Sequence, residues 1–395
     1  MTAPPFPTTA SHPSKRGLTA EGLNPRDRTV EHLYLHIPFC HRICPYCSFH
    51  KHGLAGHDLD AFVRAVESEL AWAAQHWTLR PTTLYWGGGT PTALGKRHLE
   101  ALLEATHRCC DLSDLEEWSC EINPKTITPE KARTLAAHGV SRASLGVQAW
   151  DEATLQTLGR DHSPAEAIES FEILRQSAFK VLSLDLMFSV PGQTQEQWQA
   201  SLEQSLALEP DHVSAYNLNY EEDTEFFEQL RRGHCQLEPQ RDVDYFQIAS
   251  QRLGAAGFEH YEISNYARPG KRSIHNQAYW LGADYLGLGP GAFSTVGGWR
   301  WKNPADTKLY SDSPTAPGTL ASEFEIIGAQ QRRTEAFAMR LRTSDGLQAS
   351  WVEPSQHPLL ASLEREGLLE IESGTIRLTQ QGRPLVDSIA LGLLG

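Results

Sequence analysis

The chain has 395 residues, room for two or three domains, and at this length about three quarters of the unfolded surface can be buried without disulfides. Hydrophobic residues at 40% and charged residues at 21% are globular proportions, and no apolar run approaches the roughly 18 residues of a spanning helix, which excludes an integral membrane protein. A net charge of −14 with His neutral repels phosphate backbones, so general nucleic-acid binding is disfavoured, although a local basic site can still take an anion.

Residues 1 to about 29 are rich in Pro, Ser and Thr, with Pro4, Pro5, Pro7 and Pro13, and show no hydrophobic periodicity. They read as a disordered tail. The lack of acids over the first 20 residues faintly suggests a transit peptide, but the prolines spoil an amphipathic helix.

From residue 33 a βα rhythm begins. Strand-like runs fall at Leu33–Ile37, Thr83–Trp86, Trp118–Ile122, Ala143–Val147, Leu182–Met187 and Val213–Leu218. Helical patterns separate them. Over 58–77, Phe62, Val66, Leu70, Ala73 and Trp77 share one face. Thr128-Pro129 predicts an N-cap with Pro at the first helical position, and that helix stops near Gly139. Thr194 and Gln197 form a capping-box pattern before Trp198, Leu202 and Leu206, and a further helix covers roughly 240–256. Strands alternating with helices imply parallel pairing. Six units are too few for a complete eight-fold barrel. A partial barrel and an open doubly wound sheet both fit, and in either the loops after the strands form the ligand-binding end.

The rhythm fails after about residue 265. Residues 266–319 form a linking region rich in Gly, Pro and aromatics. From 320 to 395 a smaller unit is expected. It has helical patterns at 323–342 and 358–366, then Leu368–Glu372, a Ser373-Gly374 turn and Thr375–Thr379, similar to a winged helix. With seven Arg, no Lys and ten acids, it reads as a packing or partner domain rather than a DNA reader.

Of seven cysteines, Cys109, Cys110, Cys120 and Cys235 are scattered, while Cys40, Cys44 and Cys47 cluster as C-x3-C-x2-C after the first predicted strand. With no disulfide framework and no secretory segment, a reducing compartment is expected, where clustered cysteines serve as metal ligands or catalysts. Three thiolates on one loop can hold three corners of a cubane iron–sulfur cluster, leaving the fourth iron open. Zinc is the alternative, with His41 or His50 as fourth ligand. The place of the loop, at the presumed active end of a barrel, favours the cluster.

At this point the sequence resembles the radical S-adenosylmethionine (SAM) enzymes, whose signature has this spacing in this place. The resemblance implies a partial (β/α)6 TIM-like barrel with a smaller C-terminal helical, winged-helix-like domain, a [4Fe-4S] cluster, and SAM chelated at the open iron. Trp86-Gly87-Gly88-Gly89-Thr90-Pro91-Thr92 follows the second strand; no Gly-Lys-Ser/Thr follows, so it is not a P-loop. His36-Ile37-Pro38-Phe39-Cys40, Gly87–Thr92, Gly146-Val147-Gln148 and Asp185-Leu186-Met187 look like the coproporphyrinogen-dehydrogenase branch (HemN and its relatives) over about residues 30–390. On that resemblance Cys40, Cys44 and Cys47 are cluster ligands. The SAM contacts are Tyr34, Tyr46, Gly88, Gly89, Thr90, Glu121, Gln148, Arg160 and Asp185.

Within the branch, two features point to the HemW heme chaperones. Phe49 stands where the oxidase pattern C-x2-C-x-C has its further cysteine. His275-Asn276-Gln277-Ala278-Tyr279-Trp280 matches the HNxxYW motif. His260–Ala267 and Gly287–Ala292 are also HemW-like. The resemblance implies heme as cargo, with His275 as a candidate iron ligand beside Tyr279 and Trp280, although a buried structural histidine is the plain alternative. It further implies delivery to respiratory heme proteins, an electron donor for the cluster, and a cytoplasmic protein docking peripherally at the membrane face. The alternative function within the branch is oxygen-independent oxidation of coproporphyrinogen III in porphyrin biosynthesis.

Overall fold

The structure is a computed structural model, and it describes residues 28–312 and 323–395. Apart from Arg28 and Thr29, the expected N-terminal tail lies outside the described residues.

The six expected strands form and pair in parallel: Thr29–Ile37, Thr78–Gly88, Glu117–Ile122, Arg142–Gln148, Val181–Phe188 and His212–Asn217. The predicted helix starts hold as well. Thr128 caps Pro129–Ala137, and Thr194 with Gln197 makes a full capping box on Gln195–Ala207. The helix Leu59–His76 buries Phe62, Val66, Leu70 and Ala73 against the sheet, as its 3.6-residue period requires.

The sheet does not close. Leu286–Leu288 adds a parallel strand beside the first, and Asn265–Ala267 with Glu259–His260 adds an antiparallel edge beside the sixth. The result is a partial barrel with the core between sheet and helices. A three-residue strand around Gly287 carries too little pattern to be seen in the sequence.

Beyond it, Phe293–Val296, Trp299–Lys302 and Glu323–Ile326 make a small antiparallel sheet. The helix expected from 323 therefore begins later, at Ala329, and runs to Leu341. Phe324 and Ile326 alternate as a strand does, and Gly328 is the N-cap. The C-terminal unit has its own core of Phe337, Leu341, Leu360, Ile376 and Ile389. Its hairpin Leu369–Glu372/Thr375–Leu378 turns at Ser373 and Gly374, both at positive φ. A last helix, Val386–Leu394, closes that core. Among the described residues no helix is long and apolar enough to cross a membrane.

Candidate active site at the carboxyl end of the barrel

The site is built by loops that follow strands. Cys40 ends a two-residue strand, Phe39–Cys40, that pairs with His52–Gly53, so the two arms of the cysteine loop are tied together. His52 N–H also donates to the Pro38 carbonyl at 2.6 Å. The glycine loop is stitched to the same arm: Gly89 N–H donates to Ile37 O and Thr90 N–H to Phe39 O, each at 2.8 Å. This explains the glycines. A Cβ on Gly88, at φ 103°, would lie 2.4 Å from the His36 ring, and one on Gly89 would lie 2.7 Å from the Pro38 carbonyl carbon. Close packing of two loops, as much as ligand approach, demands them.

The three cysteines are free and face one cavity of about 360 Å³. Thr90 Oγ1 donates to Cys40 Sγ at 3.6 Å and in turn accepts from Asn123 Nδ2 at 2.7 Å. Arg160 Nη1 donates to Cys44 Sγ at 3.5 Å, and its Nη2 donates to Asn123 Oδ1 and Gly146 O, each at 2.8 Å. Lys51 Nζ donates to Cys47 O. Burial pushes the Cys40 thiol up to about 11 and raises Cys47 too, against the lowering effects of Arg160 and Lys51, and a bound metal would draw the protons off.

Two carboxylates line the same cavity. Tyr85 Oη donates to Glu121 Oε1 at 2.7 Å and Gly88 N–H to Oε2 at 3.1 Å. Burial pushes Glu121 up to about 7, against these hydrogen bonds and with Asp185 adding repulsion. Ser144 Oγ donates to Asp185, whose oxygens lie 3.0 and 3.1 Å away; burial pushes that carboxyl up to about 6. Gln148, in the left-handed region at φ 67°, sits where the fourth strand breaks register with the fifth.

Of the nine residues expected at SAM, Tyr46, Gly88, Gly89, Thr90, Glu121, Gln148, Arg160 and Asp185 line this cavity with the cysteines. Tyr34 does not. It lies behind Tyr85, ring centroids 6.0 Å apart, with its hydroxyl 3.0 Å from His36 Nδ1. Asn123, Tyr85 and Tyr216, which the sequence motifs do not single out, also line the cavity. Asn123 stands two residues after Glu121, the same-face spacing of a strand end, and that period is the signal that could have found it.

The residues fit a cubane and a sulfonium nucleoside. Among the described residues no three His, Cys, Asp or Glu groups converge as ligands of one ion. His50 points elsewhere, its Nε2 3.3 Å from Thr307 Oγ1. Three thiols that share a cavity without sharing one centre suit separate irons of a cluster better than a mononuclear zinc loop. The buried Arg160 Nε, which has no partner, and the two carboxylates offer complementary contacts for an amino-acid head and ribose hydroxyls.

The HNxxYW segment is elsewhere. The helix Ile274–Trp280 plugs the barrel toward the starting ends of the strands. Glu117, first residue of the third strand, accepts from Ser273 Oγ, Ile274 N–H and His275 N–H, and pairs with Arg142 at 2.8 Å in a fully buried bridge. His275 is buried, with Nδ1 2.7 Å from Thr83 Oγ1 and Nε2 3.0 Å from Tyr279 Oη. Burial pushes it down to about 3, so the imidazole is neutral. Trp280 lies under the Arg342 guanidinium of the C-terminal unit, 5.8 Å from its ring.

Comparison with known proteins agrees with this architecture. The Radical SAM superfamily model matches residues 34–204, and the HemN C-terminal domain model matches residues 328–385. Heme chaperone HemW of Bacillus subtilis is 33% identical over 93% of this chain and 100% of its own length. Heme chaperone HemW of Mycobacterium tuberculosis H37Rv is 34% identical over 95% and 97%. The solved coproporphyrinogen III oxidase (HemN) from Escherichia coli, a radical SAM enzyme, superposes with TM-score 0.81 at 24% identity, covering 93% of this chain and 90% of that one. At that identity the likeness speaks to fold. Identity of 33% and 34% to the two HemW chaperones over nearly the whole chain, with both family models matched, places the chain in the HemW family, in the HemN-like branch of the radical SAM superfamily.

Proposed function

We propose that this protein is a heme chaperone that holds a [4Fe-4S] cluster on Cys40, Cys44 and Cys47, binds SAM in the adjoining cavity, and passes heme to respiratory proteins at the cytoplasmic membrane face. The observation that carries the cluster and SAM assignment is convergence. Three thiols and eight further expected contacts, drawn from six separate loops and strand ends, line one cavity. When bound, a cluster with SAM supplies one-electron reductive cleavage of a sulfonium. The chain's own residues bind and orient. Arg160 sets a positive charge against Cys44, and Glu121 and Asp185 present acceptors in the same cavity. The exposed Ile43 and Phe49, beside Arg42 on the cavity rim, offer an electron donor or a heme-receiving protein a partly apolar approach.

For heme, the relatives' names support the cargo. His275 is offered as iron ligand in a state where it gives up one of its two hydrogen bonds; its neutral ring is the form that binds iron. Phe49 in place of a further cysteine argues against coproporphyrinogen oxidation. The test is anaerobic reconstitution followed by parallel assays. Heme uptake with a shifted Soret band and no porphyrinogen turnover supports the chaperone; protoporphyrinogen formed from coproporphyrinogen and SAM would replace it with the oxidase.

A further inference from the structure

Behind the cysteine loop, away from the cavity, lies a buried carboxylate that the proposed function does not use. Glu69 sits on the helix Leu59–His76 among Phe62, Val66, Leu70 and Ala73, and is only 4% exposed. It accepts from Gly289 N–H at 2.8 Å, from Asn303 Nδ2 at 2.7 Å and from Tyr310 Oη. Asn303 Nδ2 reaches the Gly289 carbonyl as well, at 2.9 Å. A carboxylate on an apolar helix face is costly, and a leucine would pack there at lower cost. Burial pushes this one up to about 7. Its three converging donors all serve the segment Gly287–Ala292 and the chain that follows it.

That segment presses directly on the arms of the cysteine loop. Gly289, at φ 93°, approaches so near that a Cβ would lie 2.3 Å from the His36 carbonyl oxygen, and a Cβ on Gly291 would lie 3.2 Å from the His50 ring. His36 then spans the gap to the cofactor side. Its Nε2–H donates to the His50 carbonyl at 2.8 Å, on the outgoing arm of the loop, and its ring packs under Gly88. A carbonyl can only accept, so Nε2 carries the proton and Nδ1 accepts from Tyr34 Oη at 3.0 Å. The contacts thus run from Glu69 to Gly289, to His36, and on to both the cysteine loop and the glycine loop.

We propose that Glu69 is a positioning residue for the cluster: it clamps Gly287–Ala292 into a rigid backing plate, against which His36 and His50 fix the spacing of Cys40, Cys44 and Cys47. This rests on the cluster assignment above. Ligand-bearing loops depend on such supporting hydrogen bonds, and losing one typically costs about 10–100-fold in metal retention.

The experiment uses the full chain, reconstituted anaerobically. Glu69→Gln keeps size but loses an acceptor, so a buried donor is left unpaired. Tyr310→Phe removes one donor only and serves where Glu69→Gln folds poorly. Leu70→Ala, a buried neighbour on the same helix, lowers stability without touching the clamp. Iron release to a chelator, the reduced cluster's electron paramagnetic resonance (EPR) spectrum, and apo-protein melting are measured for each. Glu69→Gln should release iron about tenfold faster or more with a changed EPR spectrum, and Tyr310→Phe should fall between it and wild type. Leu70→Ala should melt lower with wild-type release and spectrum. Wild-type release and spectrum in Glu69→Gln, or equal acceleration in Leu70→Ala, would overturn the clamp. A wild-type chain that takes up no iron and sulfide overturns the cluster assignment itself.

Discussion

The Tyr85 ring stacks on the His275 imidazole, centroids 5.1 Å apart and planes 28° from parallel, while its hydroxyl donates to Glu121 at 2.7 Å. One side chain therefore touches both the cavity wall and the HNxxYW plug. Thr83, Tyr85 and Gly87 share one face of the second strand, so the period of two turns them all into the barrel. Tyr85→Phe keeps the stack and deletes the donor. Calorimetry on reconstituted protein should show SAM affinity reduced roughly 3–10-fold, with heme titration unchanged. Loss of both affinities, or of neither, would refute Tyr85 as a donor that serves the SAM cavity alone.

Glu121 carries a pH signature. Its folded value, about 7, lies above the ordinary carboxyl value of 4.5, so the folded state binds the extra proton between them. Stability therefore falls as pH rises from 4.5 through 7, then levels. Glu121→Gln in the apo-protein should raise the melting temperature by roughly a few degrees at pH 8. The gain should shrink toward pH 5, while SAM binding weakens at every pH. A gain that grows on acidification would reverse the sign and refute the assignment.

The heme role of His275 separates from its structural role by a paired substitution. Thr83→Val removes the hydroxyl that bonds both His275, at 2.7 Å, and His32, at 2.9 Å, and should cost about 1–3 kcal/mol. His275→Gln deletes the imidazole and keeps hydrogen-bonding capacity. If His275 ligates iron, the shifted Soret band persists in Thr83→Val and is lost in His275→Gln. Identical spectra in the two variants would leave His275 as a core residue.

Gly89→Ala should disable the cysteine loop, because the added methyl meets backbone at 2.7 Å. Gly192→Ala is the matched control: it has positive φ, at 79°, but open space around it, so only backbone strain of about 1 kcal/mol follows. Iron and sulfide per chain after reconstitution should drop severalfold in the first and hold in the second. Equal iron content would mean the two loops do not depend on one another.

The fold was legible where periodicity was long. Six parallel strands, the capped helices at Thr128 and Thr194, and the HemN-like C-terminal unit all follow from pattern and motif. Cys40, Cys44 and Cys47 were legible because they are close in sequence. Leu286–Leu288 was not, since a three-residue strand with Gly287 at its centre has no period, and the Glu323–Ile326 strand precedes a helix that starts only after Gly328. The burial of His275 was invisible for another reason. It depends on Thr83 and Glu117, 192 and 158 residues away in the chain, and no local pattern reports such partners.

In the proposed function the three thiols hold an iron cube with one corner free for SAM. The most direct measurement is low-temperature EPR of the anaerobically reconstituted, reduced protein, with iron and sulfide analysis, before and after SAM is added. About four irons and four sulfides per chain, with a spectrum that changes on SAM addition and is lost in Cys44→Ser, are the predicted result. Zinc in place of iron, or a cluster spectrum indifferent to SAM, would contradict it.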